Sequence, residues 1–339
     1  MTAHIVAPAP SDPPLGDVSA HASLGSLSSL IRRSAAGVVL IVVLVLGVII
    51  FGSQFANTGN IANLAVASSF LAIISIGMTF VILGGGIDLS VGSMYALAAV
   101  LAAYSSRWGS LAGIVVPIVT CGAIGMVQGA LIGKLRMPAF IVTLAGLLFA
   151  RGLAFKASDD GNTTHLIDRE RWMTNLGQER VFGVGVPVWA ALALFAVGLV
   201  LLNRTRLGQA LYAIGGSEDA ARLMGLPVAQ VKIILYTMTG VLSGLAGMLV
   251  AARSSSGLST IGSGLELEAI AAVVIGGTLL SGGAGGLTGT MIGVLLLGVI
   301  QNLINQVGTL RSFHQQVVSG VFLIVVVTAQ TIIGRREQS

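Results

Sequence analysis

The sequence predicts an all-α integral membrane protein with about ten transmembrane helices and both termini cytoplasmic. Three observations carry that expectation. Of 339 residues, 55% are hydrophobic and 9% charged, whereas a soluble domain of that length would carry roughly a quarter charged residues. The apolar residues come in runs of about 15 to 23, which suit a bilayer core of roughly 30 Å and lack the alternation of a membrane β-barrel. Lys and Arg, finally, fall in pairs in alternate short connections.

Taken in order, residues 1–31 ("MTAHIVAPAPSDPPLGDVSAHASLGSLSSLI") are rich in Pro, Ser, Ala and Gly and read as a disordered tail. A cleaved signal peptide does not place so long a polar leader before its apolar stretch, so the first span is expected to be retained. The membrane domain then fills 32–339, with spans near 35–51, 61–83, 88–105, 111–133, 137–154, 187–203, 232–252, 266–280, 287–304 and 316–333. Arg32 and Arg33 precede the first span, Lys134 and Arg136 join the fourth to the fifth, Arg204 and Arg206 follow the sixth, and Arg335 and Arg336 follow the tenth. With ten spans all four pairs lie on one side, which the positive-inside rule makes the cytoplasm. Arg107, Arg253 and Arg311 stand singly on the other side. Nine or eleven spans would split the pairs.

Two connections are long. Residues 155–186 face outward and include "DRERW" (Asp168 to Trp172), which suits a short amphipathic helix on the outer membrane face. Residues 204–231 face the cytoplasm and contain "GGSEDAARLMGLP", Gly215 to Pro227. Ser217 suits an N-cap, and Glu218 and Asp219 put negative charge in a first helical turn. Arg222 follows Glu218 at i,i+4, Gly225 suits a left-handed residue after a helix end, and Pro227 forbids continuation. Ala220, Leu223 and Met224 share one face. A helix of about two turns is too short to be stable alone in water, so something else must pack on it. An internal echo also runs through the chain: "AIISIGMTFVILGGGIDLSVGSM" (Ala72 to Met94) aligns without gaps to "AIAAVVIGGTLLSGGAGGLTGTM" (Ala269 to Met291), pairing Gly85 with Gly282 and Gly86 with Gly283.

Reactive chemistry is sparse. His4, His21, His165 and His314 lie in the tail or in outward loops without ligand spacing, so no metal site is expected. Cys121 is a lone thiol inside an apolar run, and no nucleophile motif or deep carboxylate pair appears. "GALIGKL", Gly129 to Leu135, lacks the spacing and the hydroxyl residue of a phosphate loop, so ATP, if it drives this protein, binds elsewhere. No basic patch is interleaved with aromatics, which sets nucleic acid aside as a partner and leaves the lipid bilayer. Asp88, in "GGGIDLSVG", is either the N-cap of the third span at the cytoplasmic surface or part of a gate or partner contact. Glu266 and Glu268 read as first-turn carboxylates or as groups at an outer mouth, and Arg151 as a snorkelling cation. Gln301, Asn302 and Asn305 form a polar patch on the ninth span, with Gln306 beside it. They serve either as interhelical hydrogen bonds or, with Asn63, Thr79 and Gln128, as the lining of a path for a neutral, hydroxyl-rich solute. No buried ionisable relay suits proton or sodium coupling, so a self-sufficient secondary transporter or facilitator is the weaker reading and a membrane enzyme weaker still.

"GGIDLSVGS" (Gly85 to Ser93), "GGSEDAARLMGL" (Gly215 to Leu226) and "ELEAIAAVVIGGTLLSGG" (Glu266 to Gly283) resemble the permease subunits of bacterial ATP-binding-cassette sugar importers of the ribose/xylose/galactose type, with the likeness running toward a galactofuranose permease. It extends from about Phe55 to Ile333; Gly84, where relatives often have Ser or Thr, and the long tail depart from it. The resemblance implies a bacterial inner-membrane permease with no catalytic residues. Its partners would be cytosolic ATPases holding ATP and Mg, a second permease (the same chain or a paralogue) and a periplasmic sugar-binding protein. It also implies that the 204–231 loop carries a coupling helix docked on the ATPase. Ser217, Glu218, Asp219, Arg222 and Gly225 would then cap and contact, and Ala220, Leu223 and Met224 would form the packed face. Gly85, Gly86, Asp88, Gly282 and Gly283 become gate or motif residues, and 155–186 a periplasmic loop.

Overall fold

The computed structural model describes residues 36–168 and 172–307, with isolated helical positions at 317, 320, 321, 324 and 328. The tail, the pairs Arg32/Arg33 and Arg335/Arg336, and the tenth span lie outside the described residues. Twelve helices are labelled here: α1 (Ala36–Gln54), α2 (Thr58–Leu83), α3 (Val91–Ser106), α4 (Ser110–Gly133), α5 (Ala139–Ala157), the single turn α6 (Asn175–Gln178), α7 (Val186–Arg204), α8 (Arg206–Gly216), α9 (Glu218–Leu223), α10 (Val228–Ser254), α11 (Leu265–Ile275) and α12 (Leu287–Val307). Among the described residues seven are long and apolar enough to cross a membrane: α1, α2, α4, α5, α7, α10 and α12.

α2 is apolar on all sides and is buried over most of its length, with α7, α10, α11 and α12 around it. α1, α5 and α7 lie at the periphery, and their exposed Val, Leu, Ile and Phe face what must be lipid. Because lipid tails give helices no hydrophobic reason to associate, close backbone approach has to do it. The α4–α10 contact meets that need with small residues. A Cβ added at Gly125, Gly129 or Gly133 of α4 would collide with the α10 backbone at Tyr236, Ile233 or Ala229. On α10, Gly240 meets the Cys121 backbone and Gly244 that of Pro117 and Ile118.

The third and eighth expected spans come out differently. α3 has 16 residues, about 24 Å at 1.5 Å per residue, and α11 has 11, about 16 Å. α11 crosses only about half of a bilayer core. It stops at Gly276, after which Gly277, Gly282, Gly283 and Gly285 all take positive φ. The loop 276–286 satisfies itself through Leu279 N–H to the Ala284 carbonyl (2.9 Å) and Gly282 N–H to the Leu279 carbonyl (3.0 Å). Gly276, Thr278, Gly282 and Gly286 of this loop are buried, whereas Leu280, Ser281 and Ala284 are exposed. The aligned segment 84–90 also turns on a positive-φ glycine, Gly85, before α3 begins.

The long connection 155–186 is more ordered than an amphipathic surface helix. His165–Leu166 pairs antiparallel with Ser256–Gly257, and Arg180–Val181 with Val184–Gly185. Helical turns fall at Trp172–Thr174 and α6, and the Gln178 side chain donates to Ser255 Oγ at 2.8 Å. Residues 169–171 of the expected helix lie outside the described residues. Arg151 does not snorkel: its guanidinium donates to the carbonyls of Ser259 and Ile261, both at 2.9 Å.

Candidate functional site

α9 forms as its sequence dictates. Ser217 Oγ accepts from Ala220 N–H at 3.3 Å, Glu218 pairs with Arg222, and Gly225 takes φ +79°. Lys232 on α10 reaches the other oxygen of Glu218 at 2.6 Å, fastening α9 to a membrane helix. The inward side is Ala221, fully buried, beside half-buried Leu226. Ala220 and Asp219 are exposed, and so are Leu223 at 90% and Met224 at 68%. The apolar face anticipated as packed therefore has no cover among the described residues.

Beneath α9 three stretches remote in sequence meet. Gly283 N–H donates to the Leu83 carbonyl at 3.0 Å, a Cβ at Gly282 would lie 2.9 Å from Gly85, and one at Gly215 would overlap the Leu83 carbonyl oxygen. Gly84, Gly85 and Gly86 line a cavity of about 270 Å³ together with Arg136, Glu218, Lys232 and Tyr236. A groove of about 550 Å³ beside α9 is lined by Lys134, Arg136 and Arg222. All three stretches that carry the family resemblance are thus in contact at one end, the end holding Lys134, Arg136 and Arg222.

Asp88 is neither the N-cap nor at the surface. Ser90 is the N-cap of α3, and Asp88 is fully buried. Its Oδ1 accepts from Ser90 N–H (2.9 Å) and Ser90 Oγ (2.5 Å), and Gln128 Nε2 donates to Ser90 Oγ at 3.1 Å. The carboxylate pins the turn through Ser90, which Gln128 of α4 holds from the other side, a long-range contact that no local signal reveals.

The six path candidates are not brought together. Thr79 is buried and shares a hydrogen bond of 2.8 Å with Thr290, while Gln128 belongs to the Asp88 network. Asn302 donates to Asn60 at 2.8 Å and accepts from Gln306 at 3.0 Å, the interhelical role expected of a buried amide. Asn63 and Asn305 are exposed. Gln301 alone among them lines a cavity of about 300 Å³ between α2, α3, α11 and α12, with Ser68, Tyr95, Ser263 and Glu268. Glu268 and Gln301 line it together, from α11 and α12. Glu268 stands in the first turn of α11 as its sequence suggests and also lines the chamber, whereas sequence reasoning missed Ser68 and Tyr95, single polar residues in apolar helices.

A helical membrane protein with a polar chamber at one end and a short helix with exposed apolar side chains over a glycine junction at the other is built as a multi-pass permease. The chain belongs to the family described as "Branched-chain amino acid transport system / permease component", whose model matches residues 60–327. It is similar to the ribose import permease protein of Escherichia coli strain K12, 40% identical over 296 residues (85% of this chain, 91% of that one). It is also similar to the fructose import permease protein of Bifidobacterium longum strain NCC 2705, 35% identical over 320 residues (90% and 92%). A third relative is the L-arabinose transport system permease protein of Escherichia coli strain K12, 36% identical over 294 residues (85% and 88%). No solved structure matches the chain. The protein is a multi-pass protein of the inner membrane.

Proposed function

We propose that this chain is the permease subunit of an ATP-binding-cassette importer that moves a monosaccharide, a pentose or a hexose such as galactofuranose, into the cytoplasm. ATP and Mg sit on a partner ATPase, a periplasmic binding protein delivers the sugar, and a second permease, this chain or a paralogue, completes the membrane unit. The relatives' import of ribose, fructose and arabinose supports the substrate class. The observation that carries the coupling role is the exposed Leu223 and Met224 on a helix tied to α10 through Glu218 and Lys232. Apolar side chains exposed to that degree beside basic residues suit a protein interface.

In this reading a push on α9 travels two ways. Through Lys232 it reaches α10, and through Gly215 it reaches the junctions that end α2 and start α3 and α12. Backbones in direct contact move as rigid bodies, so nucleotide-driven motion shifts the helix ends that shape the chamber. A ten-span count with both termini cytoplasmic keeps Lys134, Arg136, Arg204 and Arg206 on the ATPase side. The test is affinity purification of the chain from its native membranes in mild detergent, with mass spectrometry of what accompanies it. A soluble P-loop ATPase should co-purify, and the permeases present should give homodimer or heterodimer. A chain that purifies alone contradicts the reading.

A further inference from the structure

The chamber between α2, α3, α11 and α12 contains more chemistry than a passage needs. Its polar lining is Ser68, Tyr95, Ser263, Glu268 and Gln301, and its apolar lining includes Phe70 and Leu71. Ser68 is 6% exposed, lines the chamber, and its Oγ has no hydrogen-bond partner among the described residues. Glycine at 298 leaves room for that hydroxyl, since a Cβ there would collide with Ser68 Oγ. Nearby, Glu266 Oε2 is also buried and unpartnered. Buried polar groups without partners are costly, and a ligand that supplies donors removes that cost.

We infer that this chamber is a substrate site in which Glu268, Gln301 and Ser68 bind the hydroxyls of a neutral sugar, and that it rejects solutes bearing a carboxylate. The inference rests on the importer reading above. A sugar presents hydroxyl edges and C–H faces. A carboxylate accepts from adjacent hydroxyls, an amide donates and accepts, and Phe70 and Leu71 offer surface to the C–H face. A volume of about 300 Å³ lies at the small end of ligand pockets and suits a monosaccharide. An amino acid fits poorly although the family description mentions that class. Its α-ammonium could pair with Glu268, but its carboxylate would find no cation among the lining residues. Arg151, the nearby cation, is already bound by the Ser259 and Ile261 carbonyls. The α11 N-terminus, which would otherwise attract an anion, has Glu266 and Glu268 in its first turn.

Cys121, the single native cysteine, is fully buried and does not line the chamber, whereas a thiol at Ser68 lines it and meets any reagent that enters. The experiment uses the whole complex, with its ATPase and binding protein, in nanodiscs and carrying Ser68→Cys. A small cationic methanethiosulfonate reagent labels the thiol with and without ribose, galactose, leucine or galacturonate. At a concentration about tenfold above its Kd, ribose or galactose should slow labelling by roughly tenfold, and leucine and galacturonate should not. Glu268→Gln should abolish the sugar protection. Thermal stability of the Glu268→Gln complex in detergent should match that of the unmodified complex, which reports an intact fold. No labelling at all, equal protection by leucine or galacturonate, or protection that survives Glu268→Gln each overturns the inference. ATP-driven uptake by the unmodified complex is measured in parallel. Uptake without protection refutes the chamber assignment alone, whereas absent uptake refutes the importer reading.

Discussion

Leu223→Asp is expected to abolish ATP-driven sugar uptake while the chain still inserts in the membrane at its normal level. Nothing in the described structure leans on the Leu223 side chain, which is 90% exposed, so folding is unaffected. At a docked interface the same side chain becomes an apolar anchor. Replacing such an anchor by a carboxylate removes roughly 2 kcal/mol or more, about a 30-fold loss of ATPase affinity, and leaves an unpaired charge to desolvate. Met224→Asp should act in the same direction. Asp219→Asn, on the exposed polar side, should change uptake far less. The measurement is transport and ATPase co-purification for each variant at matched expression. A Leu223→Asp protein that transports normally would remove α9 from the coupling role.

Gly215→Val acts on the other side of the same helix junction. A Cβ at Gly215 has nowhere to go: it overlaps the Leu83 carbonyl and lies 2.5 Å from Gly283 N. The clash is with backbone on two segments, so no rotamer relieves it. The cost should reach about 3 kcal/mol or more, the upper part of the overpacking range. The three motif segments would separate, lowering thermal stability in detergent and abolishing uptake even where the chain folds. Gly216→Ala is the control, since a Cβ there meets nothing within 4 Å. Equal behaviour of the two variants would mean that the junction does not transmit motion.

How much was legible in the sequence follows the distance between cause and effect. The α9 caps are contacts within four residues, and Ser217, Glu218, Arg222 and Gly225 each adopt the geometry their types suggest. The long spans are legible because one physical quantity, apolar length, selects them. Where a structure depends on residues far apart in the chain, single-segment reasoning loses it. Lys232 completes the α9 anchor from 14 residues away, and the strand at His165 pairs with Gly257. The chamber draws on positions 68, 95, 268 and 301, each unremarked or ambiguous in its own segment. The break after α11 was hidden for a different reason. Hydropathy treats "IGGTLLSGGAGG" as mildly apolar and is blind to the positive φ of Gly277, Gly282 and Gly283. Buried Asp88 escaped because its cover comes from Gln128 on α4.

The central claim is that this chain forms a sugar path opened by an ATPase it does not itself contain. Purified chain, co-purified ATPase and binding protein are placed in proteoliposomes, and ribose and galactose uptake is followed with ATP supplied on the ATPase side. Uptake is expected with all components and ATP, and is expected to vanish when either the ATPase or ATP is left out. Sugar entry at the same rate through the chain alone would contradict it and make the protein a facilitator.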